Sequence, residues 1–329
     1  MVEYEKLVKD NAGYIVILLL LVLYVLTKIA LVALLIALSI IGLFLFETMA
    51  GARERGWRKE LEEIVVALLV GVLVWYGGGI LLHTSAPLDA VTSCSMLPHL
   101  DRGDMVVLQG AEINVPQAAV SSSEWEQMKG MMHTNFTCGP CSGVDGYAAY
   151  NFSLCRLACG ESCLIAIDGK PVFSDSNNSL FSYNYGSCKL RSAGGEIANS
   201  VCVKSITIKG RVFAENFSNE IVVYEPEQTS VFHGSIIHRA LLRVSVDGAE
   251  YYLIKGDNNE ILDVQVPAYK VLGEGGQCTF LADSEKENKP TPAGRVKGKV
   301  ILRAPYLGYF KLFLWGYVDT PAGCDTVIE

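Results

Sequence analysis

The chain has 329 residues, 50% of them hydrophobic, a mean hydropathy of +0.30 and a formal net charge of −8 at pH 7. The acidic balance, with no basic stripe outside one short stretch, argues against nucleic acid as a partner. The hydropathy is too high for an ordinary soluble domain, and its excess lies at the N-terminus.

The first element is the apolar run from Tyr14 to Phe46, 33 residues interrupted at Thr27-Lys28. As one helix it would be roughly 50 Å long, against a bilayer core of about 30 Å. Two arrangements fit: a helical hairpin turning at Thr27-Lys28, or a single tilted span with a helical extension. A lysine at mid-membrane costs at least ~2.5–3.5 kcal/mol, so the hairpin, which puts Lys28 at a turn, is the expectation. Ile64 to about Leu82 is a second run and a good single span. Neither run resembles a cleavable signal peptide, whose apolar region is shorter. Residues 1–84 therefore read as a transmembrane region of two or three helices. Arg53, Arg55, Arg58 and Lys59 mark the loop at about 48–62 as cytoplasmic, and Lys6 and Lys9 agree under the hairpin arrangement. Everything after about residue 84 then lies outside, in a multi-pass protein of the cell membrane.

About ten residues after Leu82 comes Ser93-Cys94-Ser95-Met96-Leu97-Pro98, followed by Arg102-Gly103-Asp104. This stretch reads as a turn leading into a strand at Met105–Leu108. A serine hydroxyl is a poor nucleophile until a base within hydrogen-bond reach takes its proton. Cys94 is expected to be an unpaired thiol beside Ser95.

Residues 111–219 read as an inserted cap, rich in Ser, Asn, Gly and Cys, with short strand-like pieces such as Cys202–Ile208. The chain has ten cysteines, all after the last apolar run, and seven of them fall between 138 and 202. In an exported chain this density reads as a disulfide framework. Zinc binding by thiolates and a redox dithiol at Cys138-Gly-Pro-Cys141 are the competing readings. Cys155, Cys159 and Cys163, spaced by four, would share one face of a helix. Sequons at Asn135, Asn151, Asn177 and Asn216 agree with an extracytoplasmic location.

Ile221–Tyr224 reads as a strand, and Ser235–Val246 with Tyr251–Ile254 as a hairpin around Asp247-Gly248. His238 sits on that hairpin, and histidine is the side chain suited to general-base work near neutrality. Lys255-Gly256-Asp257-Asn258-Asn259 follows, with Asp263 six residues after Asp257. A serine, a histidine and two aspartates are the parts of a nucleophile–base–orienter triad. Asp283–Gly294 reads as an exposed loop and Lys297–Leu302 as a strand. Ala304–Tyr317, apolar and aromatic, is too short to span a membrane. It fits either an interfacial segment or a strand completing the core.

Taken together, the serine frame, the His238-Arg239 pair and the Gly-Asp-Asn-Asn stretch resemble type I signal peptidases of the branch found in archaea and the endoplasmic reticulum. The bacterial branch uses a lysine base, where this branch has histidine. The family frame most often reads Ser-Gly-Ser-Met-x-Pro, and here Cys94 replaces the glycine. The similarity covers roughly 88–110, 220–273 and 296–310, about a third of the chain, and does not extend to 111–219. It implies a membrane-anchored, mostly β protein with transmembrane helices followed by a β-rich catalytic fold. The catalytic domain would comprise 85–110 and 220–310, the insertion 111–219, and an aromatic C-terminal segment 304–329. It further implies Ser95 as nucleophile, His238 as base, Asp263 as the carboxylate orienting it and Asp257 in support. The oxyanion donors would be the Ser95 backbone N–H and the Ser93 hydroxyl, with no metal or cofactor. The implied activity is removal of N-terminal signal peptides after small residues. Its partners would be preprotein signal peptides, membrane lipid and the protein-export channel. A related membrane protease for another leader class, and a non-catalytic receptor binding through the Cys-rich insertion, are the alternatives.

Overall fold

The computed structural model describes residues 11–27, 29–140, 152, 153, 155, 162–172, 180–227, 230, 234–266, 269–274, 277–282, 288–321 and 323–329. In chain order these begin with helices α1 (Ala12–Thr27), α2 (Ala30–Arg55) and α3 (Trp57–Leu82), then β1 (Leu88–Ala90), β2 (Met105–Gln109), β3 (Gln117–Val120) and α4 (Ser122–Met132). Strands β4 (Phe136–Pro140), β5 (Ser162–Ile167), β6 (Lys170–Pro171), β7 (Phe181–Ser192), β8 (Ile197–Ile208) and β9 (Arg211–Ala214) follow. Next come β10 (Ile221–Tyr224), β11 (Ile236–Val246), β12 (Ala249–Lys255), β13 (Tyr269–Glu274) and β14 (Gln277–Ala282). The chain ends with β15 (Thr291–Pro292), β16 (Val296–Ala304), α5 (Tyr309–Leu314) and β17 (Thr326–Ile328). The protein is thus mostly β behind an N-terminal helical region. It divides into two compact units, one of residues 1–93, 102–107 and 302–322, the other of 94–101, 108–301 and 323–329.

In the first unit, α1 ends at Thr27, α2 starts at Ala30, and the two run antiparallel. Tyr14 Oη donates to Glu47 Oε1 at 2.6 Å, pairing the start of one helix with the far part of the other. This is the hairpin expected from Thr27-Lys28; Lys28, Lys6 and Lys9 lie outside the described residues. The expected loop at 48–62 is instead helical except at Gly56, where α2 stops and α3 starts at φ +86°, a conformation that favours glycine. The charges there belong to helix ends. Arg55 pairs across the break with Glu60 at 3.0 Å and Glu63 at 2.5 Å, and Arg, Lys and Glu are good helix formers. Among the described residues, α3 is the helix long and apolar enough to cross a membrane. Side chains such as Leu73 (72% exposed) and Leu81 (77%) have no protein cover.

The aromatic segment 304–317, expected at the membrane interface or as a core strand, is strand only at Ala304. It closes as α5, whose Tyr309, Leu312 and Phe313 are buried with Tyr24 and Ile36. The Tyr24 and Phe313 rings meet edge to face at 4.5 Å. Phe310, Leu314, Trp315 and Tyr317 stay exposed. Gly103 is needed because its φ is +93° and a Cβ there would collide with the Tyr309 ring.

The second unit is built on antiparallel strands in the order β16-β10-β11-β12-β15. β11 and β12 form the expected hairpin, with Asp247 (φ 46°) and Gly248 (φ 92°) both left-handed, as a type I′ turn demands. β10 occupies the first part of one β11 edge, with Val222 opposite His238, and β3 occupies the last part in parallel, with Arg243 opposite Gln117. Further sheets run β13-β14-β4-β5-β6 and β17-β7-β8-β9.

Residues 111–219 are therefore not a separate cap. β3 belongs to the central sheet. Helix α4, opened by a Ser121–Glu124 capping box, buries Trp125, Met128 and Met132 in one cluster with Val201, Val203 and Ile206 and with Leu242, Val244 and Leu253. Two disulfides staple this region, Cys138–Cys155 and Cys188–Cys202. Cys138 thus pairs outside its Cys-x-x-Cys, whose Cys141 lies outside the described residues, as does Cys159. Cys163 lies on strand β5, so no helical face joins it to Cys155. Asn135 and Asn216 are exposed, and Asn151 and Asn177 are outside the described residues.

Candidate active site

Ser95 lies on the short turn that follows β1. The turn is closed locally by Leu97 N–H donating to Cys94 O at 3.3 Å and His99 N–H to Met96 O at 2.9 Å. Met96 is 1% exposed and packs into the core, and Pro98 is exposed. His238 is the third residue of β11, 5% exposed, between β10 and β12. Asp263 opens a single 3₁₀ turn just after the Gly-Asp-Asn-Asn stretch and is 6% exposed.

The structure brings these three into one hydrogen-bonded line. Ser95 Oγ is 2.8 Å from His238 Nε2. His238 Nδ1 is 2.9 and 2.8 Å from the two Asp263 oxygens. A carboxylate only accepts, so Nδ1 carries the ring hydrogen and Nε2 is left to accept from the serine hydroxyl. That is the tautomer a general base requires.

Two residues that carry no sequence signal complete the Asp263 environment. Tyr224 Oη donates to Asp263 Oδ2 at 2.8 Å, and Asn288 Nδ2 donates to the Asp263 carbonyl at 2.8 Å. Burial pushes the Tyr224 phenol far above its ordinary range, and the adjacent Asp263 pushes it further, so it stays a neutral donor. Asn288 is 4% exposed and also bonds Ser230, so it is interior, whereas Lys289 and Gly294 of the expected 283–294 loop are exposed. Residues 283–287 lie outside the described residues.

Asp257 belongs to a different group. It pairs bidentately with Arg239, Nε to Oδ1 at 2.8 Å and Nη2 to Oδ2 at 2.7 Å, and with His99 Nδ1 at 2.9 Å. Arg239 also donates to the carbonyls of Phe217 and Asn219, at 2.7 and 2.5 Å. The Phe217 ring stacks on His99 at 5.1 Å. Asp257 thus anchors the loop that delivers Asp263, and the histidine is oriented by Asp263 alone of the two.

Cys94 is not the free thiol expected. It is bonded to Cys324, 230 residues away in sequence, a distance that no local pattern reports. Ser93, the expected second oxyanion donor, is half-buried on the same turn. Among the described residues, no group of three or more His, Cys, Asp or Glu side chains is arranged to hold a metal ion. No family model, curated protein or solved structure matches this chain.

Proposed function

We propose that this chain is a membrane-anchored serine endopeptidase that removes N-terminal signal peptides from exported preproteins, in the manner of type I signal peptidases of the archaeal and endoplasmic-reticulum branch. The observation that carries the reading is the line Ser95–His238–Asp263, with both hydrogen bonds at 2.8 Å and the nucleophile in the Ser-x-Ser-Met-x-Pro frame. In this reading Ser95 Oγ attacks the scissile carbonyl while His238 Nε2 takes its proton. The imidazolium formed is held by Asp263 and then protonates the leaving amine. The Ser95 N–H and Ser93 hydroxyl stabilise the oxyanion, a role worth roughly 2.7–4 kcal/mol per donor where measured.

Helix α3 supplies the anchor, the α1–α2 hairpin dips into or crosses the bilayer, and the exposed Trp315 and Tyr317 suit the interfacial zone. The substrate is an apolar helical leader with small side chains before the cut, brought by lipid and by the export channel. The purified full chain in detergent should cleave a preprotein bearing a small-x-small site, and Ser95→Ala should abolish cleavage. Unchanged cleavage by Ser95→Ala overturns the assignment.

A further inference from the structure

The turn that carries Ser95 has no regular secondary structure, and segments of that kind move unless something ties them down. The tie here is unusual in its origin. Cys94, next to the nucleophile, is covalently joined to Cys324 near the chain end. Two residues beyond it begins β17, which pairs with β7 in the register Thr326 to Ser192, Val327 to Arg191 and Ile328 to Leu190. Glu329 extends that pairing through two backbone hydrogen bonds with Lys189 and a two-point ion pair with Arg191 at 2.5 and 3.0 Å.

Asn258 joins this segment to the turn. Its backbone N–H donates to Ser95 O at 2.7 Å. Its side-chain amide donates to Cys94 O at 3.1 Å and to Thr326 O at 2.8 Å, and its Oδ1 accepts from Ile328 N–H at 2.7 Å. Both amide hydrogens and the amide oxygen are thus used, at one junction, on the nucleophile's turn and the chain end. The approach is close: a Cβ on neighbouring Gly256 would lie 2.7 Å from Ser95 O. Val327 and Ile328 are only half-buried, so this segment adds little to the core.

We propose that Asn258 and residues 324–329 form a positioning clamp for Ser95, Asn258 being the positioning residue and the Cys94–Cys324 bridge its covalent half. The proposal rests on the serine-endopeptidase reading. It deepens that reading by giving a catalytic task to the end of the chain. The bond from Ser95 to His238 tolerates only about 2.6–3.2 Å, and a displacement near 1 Å costs on the order of 100-fold in rate.

The test uses the full-length protein in detergent with two variants, Cys94→Ala/Cys324→Ala and Asn258→Asp. The aspartate has the same shape but turns two donors into acceptors facing carbonyl oxygens. Hydrogen exchange of residues 93–97 is read together with the rate of Ser95 phosphonylation by a fluorophosphonate and with kcat and KM on a preprotein. Exchange at 93–97 should quicken at least about tenfold while β10–β12 stay protected. Phosphonylation and kcat should fall about 10- to 100-fold, with KM within about threefold. If Asn258→Asp fails to fold, the cysteine double variant, which buries no charge, decides. Wild-type exchange and reactivity in the folded variants overturn the clamp, and so does faster exchange with wild-type kcat. If the unmodified chain neither cleaves nor reacts with the fluorophosphonate, the endopeptidase reading falls and the catalytic task falls with it. The exchange readout alone then says whether the tie exists.

Discussion

Two aspartates six residues apart have unlike surroundings, and their substitutions should separate cleanly. Asp263 faces His238 Nδ1 and accepts from Tyr224, whereas Asp257 neutralises a buried arginine. Asp263→Asn keeps the shape but presents the wrong partner to the imidazole, so under the proposed endopeptidase function kcat should fall by on the order of 10⁴ with little loss of stability. Asp257→Asn leaves the Arg239 guanidinium, whose side chain is 9% exposed, without its counter-charge. Breaking such a pair costs roughly 3–5 kcal/mol, so thermal stability should drop while turnover per phosphonylatable site stays within a few-fold of wild type. Loss of turnover in Asp257→Asn at unchanged stability would put Asp257 in the chemistry instead. Ser95 and His238 were legible in the sequence because each sits in a short motif with a chemical reason, whereas Asp263 was set apart from Asp257 only by the resemblance. Tyr224, Asn288 and Cys324 were not, because each reaches the site through strand register or a long-range bridge.

At the level of elements, legibility followed locality. The strand Ile221–Tyr224 and the hairpin at Asp247-Gly248 depend on nearby apolar residues and turn chemistry, and both are where the pattern puts them. The helical course of 48–62 rests on local helix formers that a reading by charge passed over, but the α5 helix and the interior position of Asn288 depend on tertiary partners and could not be read. The same holds for the loop 256–263, which is pinned by Glu260. The Glu260 carboxylate accepts from Ser153 N–H at 2.8 Å and from Ser200 Oγ, while its own carbonyl accepts from Val203 N–H at 2.8 Å. Burial pushes this carboxyl up to about 7, against the pull of the Ser200 and Ser153 bonds. A raised folded value means that the fold prefers the protonated form. That contribution is complete below the unfolded value near 4.5 and is lost as pH rises through about 7, by roughly 3 kcal/mol in all. Thermal scans from pH 4.5 to 8 should therefore show Glu260→Gln gaining on wild type as pH rises. Parallel curves would remove Glu260 from the pH response of this loop.

At the scale of the whole molecule, orientation and cooperativity each have a direct reading. If the basic helix ends around Gly56 face the cytoplasm, a membrane-impermeant thiol reagent on intact cells should label a cysteine placed at exposed Ser218 and spare one at exposed Arg58. The opposite pattern reverses the orientation. Cooperativity follows from the shared core. Val201, Val203 and Ile206 of the insertion lie in one buried cluster with Leu242, Val244 and Leu253, which back the hairpin bearing His238. The bridges Cys138–Cys155 and Cys188–Cys202 close loops of 17 and 14 residues, and each such bridge stabilises by about 2–4 kcal/mol. A domain holds only about 5–15 kcal/mol in all, so losing both leaves little margin. In a Cys138→Ala/Cys155→Ala/Cys188→Ala/Cys202→Ala variant under protease without reductant, which leaves Cys94–Cys324 closed, cuts within 111–219 and loss of Ser95 phosphonylation should then advance together. A fragment that keeps a reactive Ser95 after the insertion has been digested would show two cores where the packing has one.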